Sequence, residues 1–362
     1  KKNLKQSPRI NKSFDQSKWI RGFTIAAILI WVFYSFVIDY MPDFIAEFFQ
    51  KWFPATTVNE TLVWVICALG LNIVVGYAGL LDLGFVAFWA IGGYCAGWFM
   101  SDFFHQVNFH LGSTVPAEQN GIHISFWGVL LIGALIAAVF GVIIGAPTLR
   151  LKSDYLALVT LGFGEIVRIT ALNLNAIGGA NGIIGIPTPP TIFGLEYTFD
   201  NHRLYFWTFL IIILLTIWMI RRLSVRRGGR AWESIRQDED AAELMGVPTF
   251  KYKIWAFVLG ASVGGAAGVL YASKTLFISP DNFTLQVSIL ILACVIFGGM
   301  GNIWGVILGA VILGYLPDRI RFLSDARLLV FGVVLVLMMN LRPDGILPRK
   351  KREKALPEKD SK

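Results

Sequence analysis

Long apolar runs parted by short polar intervals constrain this chain more than any other feature. Gly22–Tyr40, Thr61–Val75, Gly84–Met100, Ser125–Ala146, Tyr155–Ala171, Leu204–Ile220, Ile254–Ala272, Leu285–Phe297, Ile303–Leu316 and Leu328–Leu341 are all dominated by aliphatic, aromatic and small residues. A helix of ~20 such residues crosses the ~30 Å hydrocarbon core of a bilayer, and a helix satisfies its own backbone where water is absent. The chain therefore reads as an all-α polytopic membrane protein of about ten spans. Composition agrees: 15% of residues are charged, against roughly 25% in soluble domains.

Charge sets the expected orientation. Lys1, Lys2, Lys5, Arg9, Lys12, Lys18 and Arg21 precede the first run. Arg221, Arg222, Arg226, Arg227, Arg230 and Arg236 fall in the 221–253 interval, and the tail after Leu341 is again basic. Ser101–Ile124 contains no Lys or Arg. By the positive-inside rule both ends face the cytoplasm. The net charge of +8 is thus a topology signal, and no nucleic-acid partner is expected. Asp318–Arg327 mixes both signs and fits this pattern least well. The resulting division is a basic arm over 1–21, a transmembrane domain over 22–341 containing the 221–253 loop, and a basic tail over 342–362. The first run lacks a small-residue cleavage site, so it reads as a retained span. Met41–Glu60, with Phe44, Ile45, Phe48, Phe49 and Trp52, reads as a stretch lying along the membrane interface.

Two links break the helical pattern, Gly76-Tyr77-Ala78-Gly79-Leu80-Leu81-Asp82-Leu83-Gly84 and Gly298-Gly299-Met300-Gly301-Asn302. Irregular backbone at membrane depth must be enclosed by protein or line a cavity. Asn72, Gly76, Gly79, Asp82, Gly298 and Gly301 are therefore candidates for a solute path. Glu165 and Arg168 join them, because ionisable groups within a span mark a function or a pair. That pair, spaced i, i+3, has an alternative reading as mutual neutralisation, and Asp82 as a cap. Gly93 and Gly97, with Gly260, Gly264, Gly265 and Gly268, suit close helix packing.

Catalytic chemistry finds no footing. Gly268–Thr275, GVLYASKT, has Ser273 where a phosphate loop needs its second glycine, and no strand precedes it. Cys67, Cys95 and Cys294 lie in apolar runs and read as small buried hydrophobes. His105, His110, His123 and His202 lack metal-ligand spacing. Neither cofactor nor metal is expected. A membrane chain that passes a solute without an engine of its own must use an ion gradient, with Asp82 and Glu165 as coupling carboxylates, or borrow an ATPase.

The longest polar interval, Arg226–Lys253, favours borrowing. Asp238 can cap a helix over Glu239–Met245 that Gly246 stops, with Pro248 just beyond. Ala241, Leu244 and Met245 then share one face. Such a short helix needs a partner, either the lipid surface or a docked protein. Asp240-Ala241-Ala242-x-x-x-Gly246 resembles the EAA-x-x-x-G loop of ABC importer permeases, with Asp for Glu and without the I-x-L-P that follows in that motif. The run Gly229-Arg230-Ala231-Trp232-Glu233-Ser234-Ile235-Arg236-Gln237-Asp238-Glu239 resembles the LivM-like permeases of branched-chain amino acid (LIV-type) importers. So do the Gly76–Gly84 link, Thr160–Arg168, Gly298–Gly301 and Arg342–Leu347.

The resemblance implies the LIV-type permease fold in a bacterial cytoplasmic membrane, itself non-catalytic. A second, LivH-like permease, two ATP-binding cassette ATPases and an extracytoplasmic binding protein would complete the importer, with membrane lipids around it. The substrates implied are branched-chain or related neutral amino acids. Sister systems carry urea and short amides. It also implies ATPase coupling through Arg230, Asp240, Ala241, Ala242, Leu244, Met245 and Gly246, with Arg230 and Arg236 orienting the contact.

Overall fold

A computed structural model describes residues 54–112, 120–151, 153–190, 197, 202–319, 327–342 and 344–347. The expected arm, the first span Gly22–Tyr40 and the interfacial stretch up to residue 53 lie outside them. So do residues 320–326 and the tail beyond 347.

The described chain is helical almost throughout. α1 (Ala55–Leu71) runs on as a π-helix (Asn72–Tyr77), followed by α2 (Phe85–Met100), α3 (Phe126–Thr148), α4 (Ser153–Asn173) and α5 (His202–Val225). Then come α6 (Arg227–Gln237), α7 (Glu239–Leu244), α8 (Thr249–Thr275), α9 (Leu285–Gly298), α10 (Ile303–Arg319) and α11 (Arg327–Leu341). Strands β1 (Asn108–Leu111) and β2 (Gly121–Ile124) pair in parallel between α2 and α3. Two-residue strands β3 (Ile183–Ile184) and β4 (Phe277–Ile278) pair antiparallel.

Five helices are long and apolar enough to cross a membrane: α1 with its π-helical extension, α3, α4, α5 and α8. α2, α9 and α10 are apolar but shorter. At 1.5 Å per residue, the 14 residues of α9 reach only about 21 Å, less than the hydrocarbon thickness. α1 starts at Ala55, six residues before the expected Thr61. Glu60 therefore belongs to a helix instead of ending an interfacial stretch. Its carboxylate meets Lys274 Nζ of α8 at 3.0 Å, which compensates the charge.

α8 is the axis of the bundle, packed by α1, α2 and α3. Small residues let them in. A Cβ at Gly265 would lie 2.6 Å from the Gly133 carbonyl of α3, and one at Gly92 or Gly268 would strike backbone across the α2–α8 contact. Gly93 and Gly97 behave otherwise than expected. They receive the side chains of Ile278 and Ile183 from the β3–β4 pair, so they seat a loop instead of a helix. Cys67, Cys95 and Cys294 are buried, as read from their apolar setting. Leu131, Leu135 and Ile143 on α3, Leu158 and Ile166 on α4, and Leu214, Leu215 and Trp218 on α5 face outward. An apolar exterior with small residues at the close helix contacts is the pattern a lipid-facing bundle requires.

The polar insertion before α3 is built around His123, which is buried. Its Nδ1 lies 3.0 Å from the Met100 carbonyl, its Nε2 lies 3.1 Å from Asp102, and its ring packs 4.8 Å from that of His110. Their sequence spacing gives no sign of this contact. The parallel register, which places His110 opposite His123, brings them together. Among the described residues no three His, Cys, Asp or Glu gather in a metal-binding group.

Candidate functional site

The polar interval folds as two helices, not one. α6 forms because Ala231, Trp232 and Ile235 turn to one side and are buried. Gly228 and Gly229 hid it from propensity, but Gly229 is needed there, since a Cβ would run into the Ser224 backbone. Trp232 Nε1 donates to the Tyr252 carbonyl at 2.8 Å, fastening α6 to the first turns of α8. Asp238 ends α6 and caps α7, its Oδ1 accepting from the Ala241 N–H at 3.0 Å. Gly246, at φ 82°, turns the chain away as its position predicted. Lys253 of α8, buried, pairs with Glu239.

The expected coupling residues divide. Leu244 is 88% and Met245 84% exposed, and Arg230, Asp240, Ala241 and Gly246 are open as well. Met245 lies just past the helix end, as its cap. Ala242 is 4% exposed and faces the body of the protein, so it does not join the outward face. Arg236 is also corrected: it points inward and donates to the Gly76 carbonyl.

That bond leads to the broken links. Asn72 is fully buried in the π-helix, a form common at functional sites. Its Oδ1 accepts from the Gly301 N–H at 2.9 Å, while its Nδ2 has no partner. A side chain at Gly76 would collide with Asn72 Oδ1 and lie 2.5 Å from the Gly301 nitrogen. Asn72, Gly76 and Gly301 thus meet, joining the first break to the second. Gly79 and Gly301, at φ 75° and 81°, are true breaks.

The remaining path candidates resolve locally. Asp82 is 1% exposed, with Oδ1 accepting from the Gly84 N–H at 2.9 Å. This is a side-chain turn leading into α2, closer to capping than to lining a path. Its Oδ2 is unpartnered. Thr160 Oγ1 of α4 accepts from the Leu83 N–H at 3.1 Å, and Gly84 lies directly on the Thr160 carbonyl. Thr160 is therefore how α4 reaches the end of the Gly76–Gly84 link. Glu165 and Arg168 do not: Arg168 Nε donates to Glu165 Oε1 at 2.9 Å on a part-exposed face. Mutual neutralisation is the reading that fits. Gly298 is corrected too. It is the last residue of α9 and crosses Gly305 of α10 backbone to backbone, while the bend falls at Gly299, φ 115°.

The first described residues of the basic tail pack back on the bundle. Ile346 and Leu347 donate from their N–H groups to the Phe297 and Gly298 carbonyls at 3.0 and 3.1 Å, closing the end of α9. A cavity of about 240 Å³ lies elsewhere, between Thr56, Glu60, Tyr205 and Lys274. None of the expected path residues lines it.

Five helices long and apolar enough to cross a membrane, with two linked breaks buried among them, are the features of a multi-pass membrane protein. Its family follows from comparison with known proteins. Residues 53–339 match the family described as "Branched-chain amino acid transport system / permease component", and the chain belongs to that family. It is 40% identical over 310 residues to the high-affinity branched-chain amino acid transport system permease protein LivM of Escherichia coli, covering 80% of this chain and 68% of that one. It is 30% identical to the probable branched-chain amino acid transport permease protein LivM of Methanocaldococcus jannaschii, covering 81% and 94%. LivH of Salmonella typhimurium is 25% identical, covering 85% and 97%. No solved structure matches the chain. The chain is a non-catalytic permease subunit of an ABC importer.

Proposed function

We propose that this subunit carries branched-chain or related neutral amino acids inward across a bacterial cytoplasmic membrane. It pairs with a LivH-like permease, two ATPases dock beneath, and an extracytoplasmic binding protein delivers substrate from the other side. The N-terminus and C-terminus face the cytoplasm, and about ten spans cross the bilayer.

The observation that carries this reading is α7. A helix of six residues would fray unless held, and here Asp238, Gly246 and the Glu239–Lys253 pair all hold it. The result is a rigid knob that keeps Leu244 and Met245 in the open. Burying either in a partner groove is worth about 1.5–3 kcal/mol. The ion-gradient alternative loses one of its two carboxylates, because Glu165 is held by Arg168.

The test is co-purification of the ATPases with a tagged permease in mild detergent. Leu244→Asp and Met245→Asp should leave the permease in the membrane yet strip the ATPases and abolish uptake. A helix resting on lipid headgroups predicts retention of both, and that outcome would sink the docking reading. Competition of uptake by leucine, isoleucine, valine, urea and acetamide separates the substrate classes.

A further inference from the structure

One side chain joins the projecting helices to the broken links. Arg236 lies in the last turn of α6, half-buried, and its Nη1 donates to the Gly76 carbonyl of the π-helix. The last carbonyls of a helix lack intrahelical donors, and the chain leaves helical geometry at Gly79, φ 75°, so Gly76 has an acceptor to offer. A second contact is independent of that bond. A Cβ at Gly79 would lie 2.7 Å from Arg236 Cγ, 3.1 Å from its Cβ and 3.2 Å from its Cα. The α6 backbone therefore rests on a surface that only glycine leaves flat.

Both ends of this linkage are anchored. Asp238 terminates α6 and caps α7, so no flexible linker separates the two helices. From Gly76 the contact continues through Asn72 Oδ1 to the Gly301 N–H at 2.9 Å. A push on α7 thus has a continuous route through α6 to both breaks.

We propose that Arg236 is a positioning residue for transport. It holds the Gly76–Gly79 break in one of the two access states and carries the displacement of α7 into the junction. The proposal rests on the reading that α7 docks an ATPase, and it assigns Arg236 to the membrane side of that contact instead of the ATPase side.

The experiment uses the whole transporter in liposomes, with its second permease, ATPases and binding protein. It measures ATPase retained per permease, ATP hydrolysed, and leucine taken up per ATP. Arg236→Ala and Gly79→Ala should retain the ATPases and hydrolyse ATP, while uptake per ATP falls at least about tenfold, since a charge-assisted bond present in only one state is lost. Arg236→Lys, which keeps a charged donor without the planar fork, should recover part of the ratio. Exposed Arg227→Ala should match the parent. Uptake per ATP within about twofold of the parent in Arg236→Ala would overturn the proposal. So would a fall in uptake that merely tracks fewer assembled complexes. If Arg236→Ala does not accumulate, the ratio in Arg236→Lys decides, lowered in support and unchanged against. A parent permease that retains no ATPase would remove the docking reading first, and this proposal with it.

Discussion

Gly76→Ala is the sharpest perturbation available at the junction. The new methyl would overlap Asn72 Oδ1 and lie 2.5 Å from the Gly301 nitrogen. Neither obstacle can swing aside cheaply: one is a fully buried carboxamide already bonded at 2.9 Å, the other is backbone. Relief requires breaking that bond. Leaving a buried donor or acceptor unsatisfied costs about 1–3 kcal/mol, and overpacking adds roughly 1–3 kcal/mol. A total of about 2–6 kcal/mol is expected, large beside the ~5–15 kcal/mol that holds a typical protein folded. Asn72→Ala should cost less, since it orphans the Gly301 N–H but removes no other bond of its own. The double variant Asn72→Ala with Gly76→Ala tests the cause, because the first substitution makes the room that the second needs. Melting of the detergent-purified chain, followed by size-exclusion fluorescence, should show the double variant more stable than the sum of the singles by about 1–3 kcal/mol. Strictly additive losses, or a Gly76→Ala chain melting like the parent, would refute the claim that these three residues form one packed junction.

Removing the surface partner of a buried charge should also register. Glu239→Ala leaves the buried Lys253 ammonium unpaired and should destabilise, but by less than the ~3–5 kcal/mol of a fully buried pair, because the Glu239 side chain is 45% exposed; Lys253→Met with Glu239→Ala should recover most of it. Purified alone, the chain should neither bind nor hydrolyse ATP, because Gly268–Thr275 lies within the helix α8 and presents no phosphate-cradling loop; nucleotide-dependent protection in filter binding would contradict this. Reporter fusions at Ser13 and Lys354 should both give a cytoplasmic signal, and a periplasmic signal from either would reverse the proposed orientation.

Several features are legible in the sequence alone. α2, α3 and α9 begin within a residue of the expected runs, because an apolar segment bounded by polar residues has only one way to satisfy its backbone in lipid. The Asp238 cap and the Gly246 stop were also visible, since both are interactions within four residues of the chain. α6 was missed because paired glycines depress propensity, and the burial of Trp232 against Tyr252 that compensates is a tertiary event. The Gly298–Asn302 break is legible, but not the division of labour within it: Gly298 packs against Gly305 and Gly299 makes the bend. Both are glycine, and only the backbone angles tell a packing contact from a turn.

What the sequence determined by itself is therefore local or compositional: helices at home in lipid, the two interruptions, the capped knob and the absence of a catalytic set. The function class followed from those and from the run around Trp232. What only the tertiary structure decided is who meets whom. Arg236 and Gly76 are 160 residues apart, and Asn72 and Gly301 are 229 apart. No periodicity or cap records such a meeting, because it depends on how α8 draws its neighbours together through small residues. The fold likewise turned Ala242 inward and left Leu244 outward. Side-chain direction is set by the neighbour that fills the space, and that neighbour is known only once the chain is folded.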